Sequence, residues 1–103
     1  MFEKTTNLTN ASSTDQIVWI EPWCEEIKLP PGKTFEFKGR GIEDGALEIE
    51  ERDGLVIVYG WPTCFMSVTC DRKTIWEIDL AVPSVPSGTT VKGFVKGLFH
   101  SND

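Results

Sequence analysis

The chain has 103 residues, 40% of them hydrophobic and 25% charged, with 16 acidic against 10 basic side chains and a formal net charge of −6. That length suits one domain with one hydrophobic core, and the acidic balance sets the chain against general binding of phosphate backbones. No apolar run approaches the roughly 20 residues of a membrane helix, and the N-terminus carries no apolar stretch after Lys4, so the expectation is a cytoplasmic protein with neither nucleic acid nor membrane as partner.

Residues 1–15 are rich in Thr, Asn and Ser and read as a flexible or loosely docked leader. Two sequons there, Asn7-Leu8-Thr9 and Asn10-Ala11-Ser12, are taken as chance in a polar segment. QIVWIE, from Gln16 to Glu21, is short and β-branched, and Pro22 stops it because proline cannot donate to a ladder. Glu25 to Leu29 places Ile27 and Leu29 on one face. Pro30-Pro31-Gly32-Lys33 then combines a fixed φ with a glycine able to take a positive one, the chemistry of a type II turn. In Thr34 to Lys38, Phe35 and Phe37 alternate with Glu36 and Lys38, which predicts a half-buried strand before a glycine-punctuated loop from Gly39 to Gly45.

The stretch ALEIEERDGLVIVYGW, Ala46 to Trp61, is the most informative. A two-residue Asp53-Gly54 turn sets Arg52 opposite Leu55, Glu50 opposite Ile57 and Glu48 opposite Tyr59. Leu47, Ile49 and Glu51 share the other face with Gly60, Val58 and Val56. Strand Leu55 to Trp61 is apolar on both faces and therefore needs a cover on both. Thr63 to Cys70 and Thr74 to Leu80 predict another hairpin around Asp71-Arg72-Lys73, with Met66 and Val68 on one face of the first arm and Trp76, Ile78 and Leu80 on one face of the second. After Leu80 the pattern changes: Pro83 and Pro86 form a spacer, and Val91, Phe94, Val95, Leu98 and Phe99 fall on a helical stripe. The same segment also alternates as a β-arm. Helix is favoured, although Gly93 and Gly97 each weaken it by about 1 kcal/mol relative to alanine. About seven short strands point to an all-β fold, a small β-sandwich or open barrel spanning residues 16–80, with residues 81–103 as spacer and C-terminal helix or arm.

The chemistry-bearing residues mostly return negatives. His100 is the only histidine, so no histidine metal centre can form in one chain, and neither metal nor cofactor is expected. Gly32-Lys33-Thr34 lacks the glycine loop and helix of a phosphate-binding motif. Three cysteines, Cys24, Cys64 and Cys70, make an odd count and argue for reduced thiols; along one strand Cys64 and Cys70 would stand roughly 20 Å apart. Cys70, beside Asp71-Arg72-Lys73, is the candidate for a reactive thiol, against the plainer reading of a buried inert one. Glu48 and Glu50 form a carboxylate pair beside apolar side chains, suited either to acid–base work or to a solvated edge. Trp23, between Glu21 and Glu25, is either a stacking platform or a plug at the end of a barrel.

The segment EPWCEEIKLPPGKTFEFKG and the hairpins after it resemble the opening of small single-domain cupins, jelly rolls in which a PPG-type turn separates two strands. The resemblance covers Glu21 to Leu80 at most and implies a jelly-roll fold. Metal-binding cupins place two histidines and a glutamate soon after that turn, where this chain has Thr34, Phe35, Glu36 and Phe37. It implies a member without the metal site, so the family's metal-dependent chemistry does not carry over.

The sequence thus favours a non-catalytic binding or interaction module over an enzyme. Its ligand or partner face comprises Glu48, Glu50, Leu55, Ile57, Tyr59 and Trp61, with Trp23, Glu25 and Cys70 as secondary candidates. Its partner is a second copy, in a homodimer, or a small-molecule ligand, and the tail is a further candidate cover. The alternative is a metal-independent enzyme using the carboxylate pair in a barrel cleft.

Overall fold

The computed structural model describes residues 1–78 and 81, which form eight strands and no helix. Leu80 and the helix or arm expected at Val91–Phe99 lie outside the described residues. In chain order the strands are β1 (Phe2–Thr9), β2 (Gln16–Glu21), β3 (Glu25–Leu29), β4 (Thr34–Gly41), β5 (Glu48–Arg52), β6 (Leu55–Tyr59), β7 (Cys64–Cys70) and β8 (Lys73–Glu77). Two four-stranded sheets result, sheet A in the order β1-β4-β7-β8 and sheet B in the order β3-β2-β6-β5. All pairs are antiparallel except β2–β6, which run parallel at the centre of sheet B.

Alternation along the strands explains the core. Phe35 and Phe37 of β4 and Met66 and Val68 of β7 meet Val18 and Ile20 of β2, Leu29 of β3, and Val56 and Val58 of β6, all at most 3% exposed. Fully burying each such side chain contributes about 1.5–3 kcal/mol. The turns carry the chemistry read from the sequence. Lys33 N–H donates to the Pro30 carbonyl at 3.2 Å across Gly32, whose φ is 73°. Asp53 and Gly54, at φ 50° and 82°, close the β5–β6 hairpin with the expected pairing of Glu48 with Tyr59, Glu50 with Ile57 and Arg52 with Leu55.

Three segments differ from expectation. The leader contains β1, paired with β4 from Phe2↔Gly41 to Thr9↔Thr34; its polar composition hides an edge strand whose apolar partner surface belongs to β4. Strand β4 runs on through Gly39 and Gly41 instead of breaking there. A Cβ at Gly39 would lie 2.4 Å from the Trp61 ring, so this glycine makes room for an indole rather than a turn. Finally, Asp71 and Arg72 alone, at φ 51° and 66°, make the β7–β8 turn, and Lys73 opens β8. The register shifts between Val68 and Thr69, leaving Ile75 unpaired and 46% exposed while Trp76 stands opposite Val68.

Asn10 ties the sheets together at one end. It is 4% exposed, its Nδ2 donates to the carbonyls of Leu29 at 2.9 Å and Thr14 at 2.7 Å, and its Oδ1 accepts from Ser12 N–H and Oγ. Its backbone also bonds Lys33 and Gly32, so one buried amide joins the β1–β2 loop to the β3–β4 turn. With both donors spent inside the fold, the Asn10 sequon has no free amide. Asn10→Ala should cost about 2 kcal/mol or more, because it strands buried carbonyls without donors. Chemical denaturation of the variant checks this; an unchanged midpoint would show the network to be dispensable.

Candidate functional site

The outer face of sheet B assembles from four strands in three rows. Parallel pairing sets Ile17 beside Leu55, Trp19 beside Ile57 and Glu21 beside Tyr59. On one flank β5 adds Arg52, Glu50 and Glu48, and on the other β3 adds Lys28 next to Ile17 and Glu26 next to Trp19. An apolar centre therefore runs between charged margins. The margins are cationic at the Asp53-Gly54 end, through Lys28 and Arg52, and anionic over the rest, through Glu21, Glu26, Glu48 and Glu50.

Five of the six face residues expected from the sequence, Glu48, Glu50, Leu55, Ile57 and Tyr59, lie together here. Trp61 does not. The chain leaves β6 after Tyr59, and Trp61, 3% exposed, turns inward over Gly39, Gly41 and Gly45, donating its indole N–H to the Glu43 carbonyl at 2.9 Å. It plugs the end of the core beside Cys64. Ile17, Trp19, Glu21, Glu26 and Lys28 join the face unforeseen. Alternation in QIVWIE already puts Ile17, Trp19 and Glu21 on one side, but nothing local marks β6 as the strand beside them.

Glu50 accepts from both Nε and Nη2 of Arg52, at 3.1 Å from the former, and this contact holds the Arg52 guanidinium above its ordinary pKa. The Tyr59 hydroxyl is pushed up, chiefly by burial and then by the Glu50 charge, with Arg52 opposing. The Glu21 carboxyl is also raised, chiefly by burial, with the Cys24 thiol and backbone N–H opposing. That thiol donates weakly to Glu21 Oε2 at 4.0 Å from a residue at φ 57°.

The secondary candidates lie elsewhere. Trp23 is half-buried, packs against both hydrophobic clusters and meets Trp76 edge-on at 5.8 Å, while Glu25 accepts the Trp76 indole N–H at 3.1 Å. This trio joins the β3 edge of sheet B to the β8 edge of sheet A. Cys70 ends β7, half-buried, next to Asp71, which pairs with Lys33 at 3.0 Å. All three cysteines are free thiols; burial pushes Cys64 up to about 11 and also raises Cys24, which makes both poor nucleophiles at neutral pH. Among the described residues no cluster of His, Cys, Asp or Glu could hold a metal ion, and no helix is long and apolar enough to cross a membrane.

Among the described residues, two shallow depressions lie away from this face's centre. One, of about 340 Å³, opens on the outer side of sheet A between Arg40, Lys38 and Phe65; the other, of about 250 Å³, lies at the hairpin tip beside Gln16 and Arg52. Neither is lined by Glu48 or Glu50. Comparison with protein-family models, curated proteins and solved structures finds no significant match to this chain.

Two stability effects follow. The folded chain holds the Glu21 proton at a pH where the unfolded chain has released it, so stability falls as pH rises through the ordinary carboxylate range near 4.5. Glu21→Gln should therefore raise Tm near neutral pH, at about pH 7, and lose that advantage at about pH 4 and below; a pH-independent difference in thermal melts would contradict this. Thr63, in the turn where Cys64 N–H donates to the Trp61 carbonyl, sits at φ 69° with Oγ1 buried and unpartnered among the described residues. A β-branched residue there costs about 1–2 kcal/mol in strain, more than glycine loses in entropy. Thr63→Gly should raise the melting temperature, and a lower one would show that the threonine methyl packs productively.

Proposed function

We propose that the protein is a non-catalytic binding module of the cytoplasm whose outer face of sheet B takes an apolar partner bearing positive charge. The observation that carries this is the row structure itself: Ile17, Trp19, Leu55 and Ile57 form a half-buried apolar strip, and four of its six charged neighbours are glutamates. Charged margins around an apolar centre select a partner by sign while the centre supplies the binding energy. A second copy of the chain is one such partner, giving a homodimer. The jelly-roll relation belongs to this reading only through the Pro30-Pro31-Gly32 turn, because the parallel β2–β6 pair is not a jelly-roll pairing.

The alternative, acid–base catalysis by Glu48 and Glu50, draws less support. Arg52 occupies one oxygen of Glu50, and the two depressions described among residues 1–78 lie away from the pair. The test is calorimetric titration with a synthetic amphipathic peptide carrying two lysines, compared with a twin carrying two glutamates, alongside sedimentation of the chain over a range of concentrations. The lysine peptide should bind at least about tenfold more tightly, and Ile57→Lys should abolish that binding without unfolding the chain. Tyr59, 2% exposed, is too buried to serve as the probe. Equal affinity for the two peptides, or no binding and no self-association, would overturn the reading.

A further inference from the structure

Among the described strands, β1 is the longest at a sheet edge, eight residues against five for β3, β5 and β8. The shorter edges carry the usual guards against pairing with another chain. Glu48, Glu50 and Glu51 load β5 with acid, a register shift interrupts the β7–β8 ladder, and Trp23, Glu25 and Trp76 bridge β3 to β8. Strand β1 has no such guard: it holds neither proline nor glycine, and its ladder with β4 runs unbroken from Phe2 to Thr9. Its two charges are engaged on its own chain, Lys4 with Asp44 at 3.6 Å and Glu3 with Lys38 at 4.0 Å.

The direction of its free backbone groups follows from Asn10. The Asn10 N–H donates to the Lys33 carbonyl at 3.0 Å and its carbonyl accepts from Gly32 N–H at 2.7 Å, both on the β4 side. Antiparallel ladders alternate, so Leu8, Thr6 and Lys4 also turn their backbone groups toward β4, while Thr9, Asn7, Thr5 and Glu3 turn theirs outward. The pair Thr9↔Thr34 agrees, since its two hydroxyls meet at 2.8 Å, the close side-chain approach of a pair that exchanges no backbone bonds. All four outward-turned residues are exposed.

We infer that β1 is an interface between two copies of this chain, pairing antiparallel with β1 of the second copy about a twofold axis at Thr5. The two A sheets then become one continuous sheet. Only registers that match outward groups with outward groups can form, and side chains choose among them. With Thr5 opposite itself, Glu3 faces Asn7 of the second copy, Lys4 faces Thr6, and Phe2 faces Leu8. Phe2, 46% exposed in the single chain, gains an apolar neighbour that already packs on the core. Moving the axis to Lys4 sets lysine against lysine. Moving it to Thr6 sets Phe2 against Asn10, whose side chain is spent inside the fold. The inference is independent of the outer face of sheet B, which the edge dimer leaves open.

The test is sedimentation of the full chain from micromolar to millimolar concentration, with amide exchange read by NMR on the same samples. The chain should dimerise, and the amides of Glu3, Thr5 and Asn7 should gain protection as concentration rises, whereas those of Lys4 and Thr6 are protected throughout. Thr5→Pro removes an outward N–H that an edge strand does not use, so the variant should stay folded and monomeric. Asn7→Lys should tighten the dimer roughly fivefold and Asn7→Glu weaken it by a similar factor, because each sets its charge against Glu3 of the second copy. Ile57→Lys should leave the dimer intact, and Thr5→Pro should leave binding of the two-lysine peptide intact, so the edge and the sheet B face fail separately. A chain monomeric at all concentrations, or a dimer that Ile57→Lys abolishes and the Asn7 variants leave unchanged, would overturn the inference.

Discussion

Everything in this fold depends on where β6 sits. A strand reading Leu-Val-Ile-Val-Tyr cannot lie at an edge or expose a face without leaving a long apolar stripe in water, and parallel pairing with β2 places it at the centre of sheet B. One side then packs on sheet A through Val56 and Val58. The other side, through Leu55, Ile57 and Tyr59, becomes the middle of a face that combines an apolar centre with charged margins. Core and candidate site are two faces of one strand, so the hairpin register that fixes the first also fixes the second.

The ends of the molecule are closed by single residues with specific partners rather than by bulk. Asn10 spends all its hydrogen-bonding groups on the β1–β2 and β3–β4 connections. Trp61 fills the opposite end, where Gly39, Gly41 and Gly45 leave space for the indole. Exposed ion pairs such as Lys4–Asp44 at 3.6 Å and Lys38–Glu3 at 4.0 Å contribute at most about 1 kcal/mol each and do not decide the fold. The side chains that do decide it are few and buried.

Local grammar was legible in the sequence. Phe35 and Phe37 facing inward, the Gly32 turn and the pairing of Glu48, Glu50 and Arg52 follow from alternation and turn chemistry, which act over a few residues. What local grammar does not carry is partnership between distant strands. Residues 2–9 look polar because an edge strand needs an apolar neighbour on one side only, and their neighbour is 33 residues away at Thr5↔Lys38 in strand pairing, beyond any periodicity. The parallel contact of Ile17 with Leu55 is likewise non-local, which is why half of the candidate face went unseen. Trp61 was misplaced because period-two counting continued past Tyr59, where the chain bends at Gly60 to bond the Glu21 carbonyl.

The charge pattern gives the face its direction. An acidic chain of net charge −6 gathers Glu21, Glu26, Glu48 and Glu50 around its apolar strip, while its residues beyond Leu80 carry two lysines and a single aspartate. The central claim is that this strip is a face that selects a cationic apolar partner. Hydroxyl-radical footprinting of the full chain with and without the two-lysine peptide, read by mass spectrometry, tests it most directly against built-in references, since Ile42 is 72% and Ile75 46% exposed. Addition of the peptide should slow the labelling of Trp19, Leu55 and Ile57 several-fold while Ile42 and Ile75 keep their rates. Labelling of the strip that the peptide leaves unchanged would contradict it.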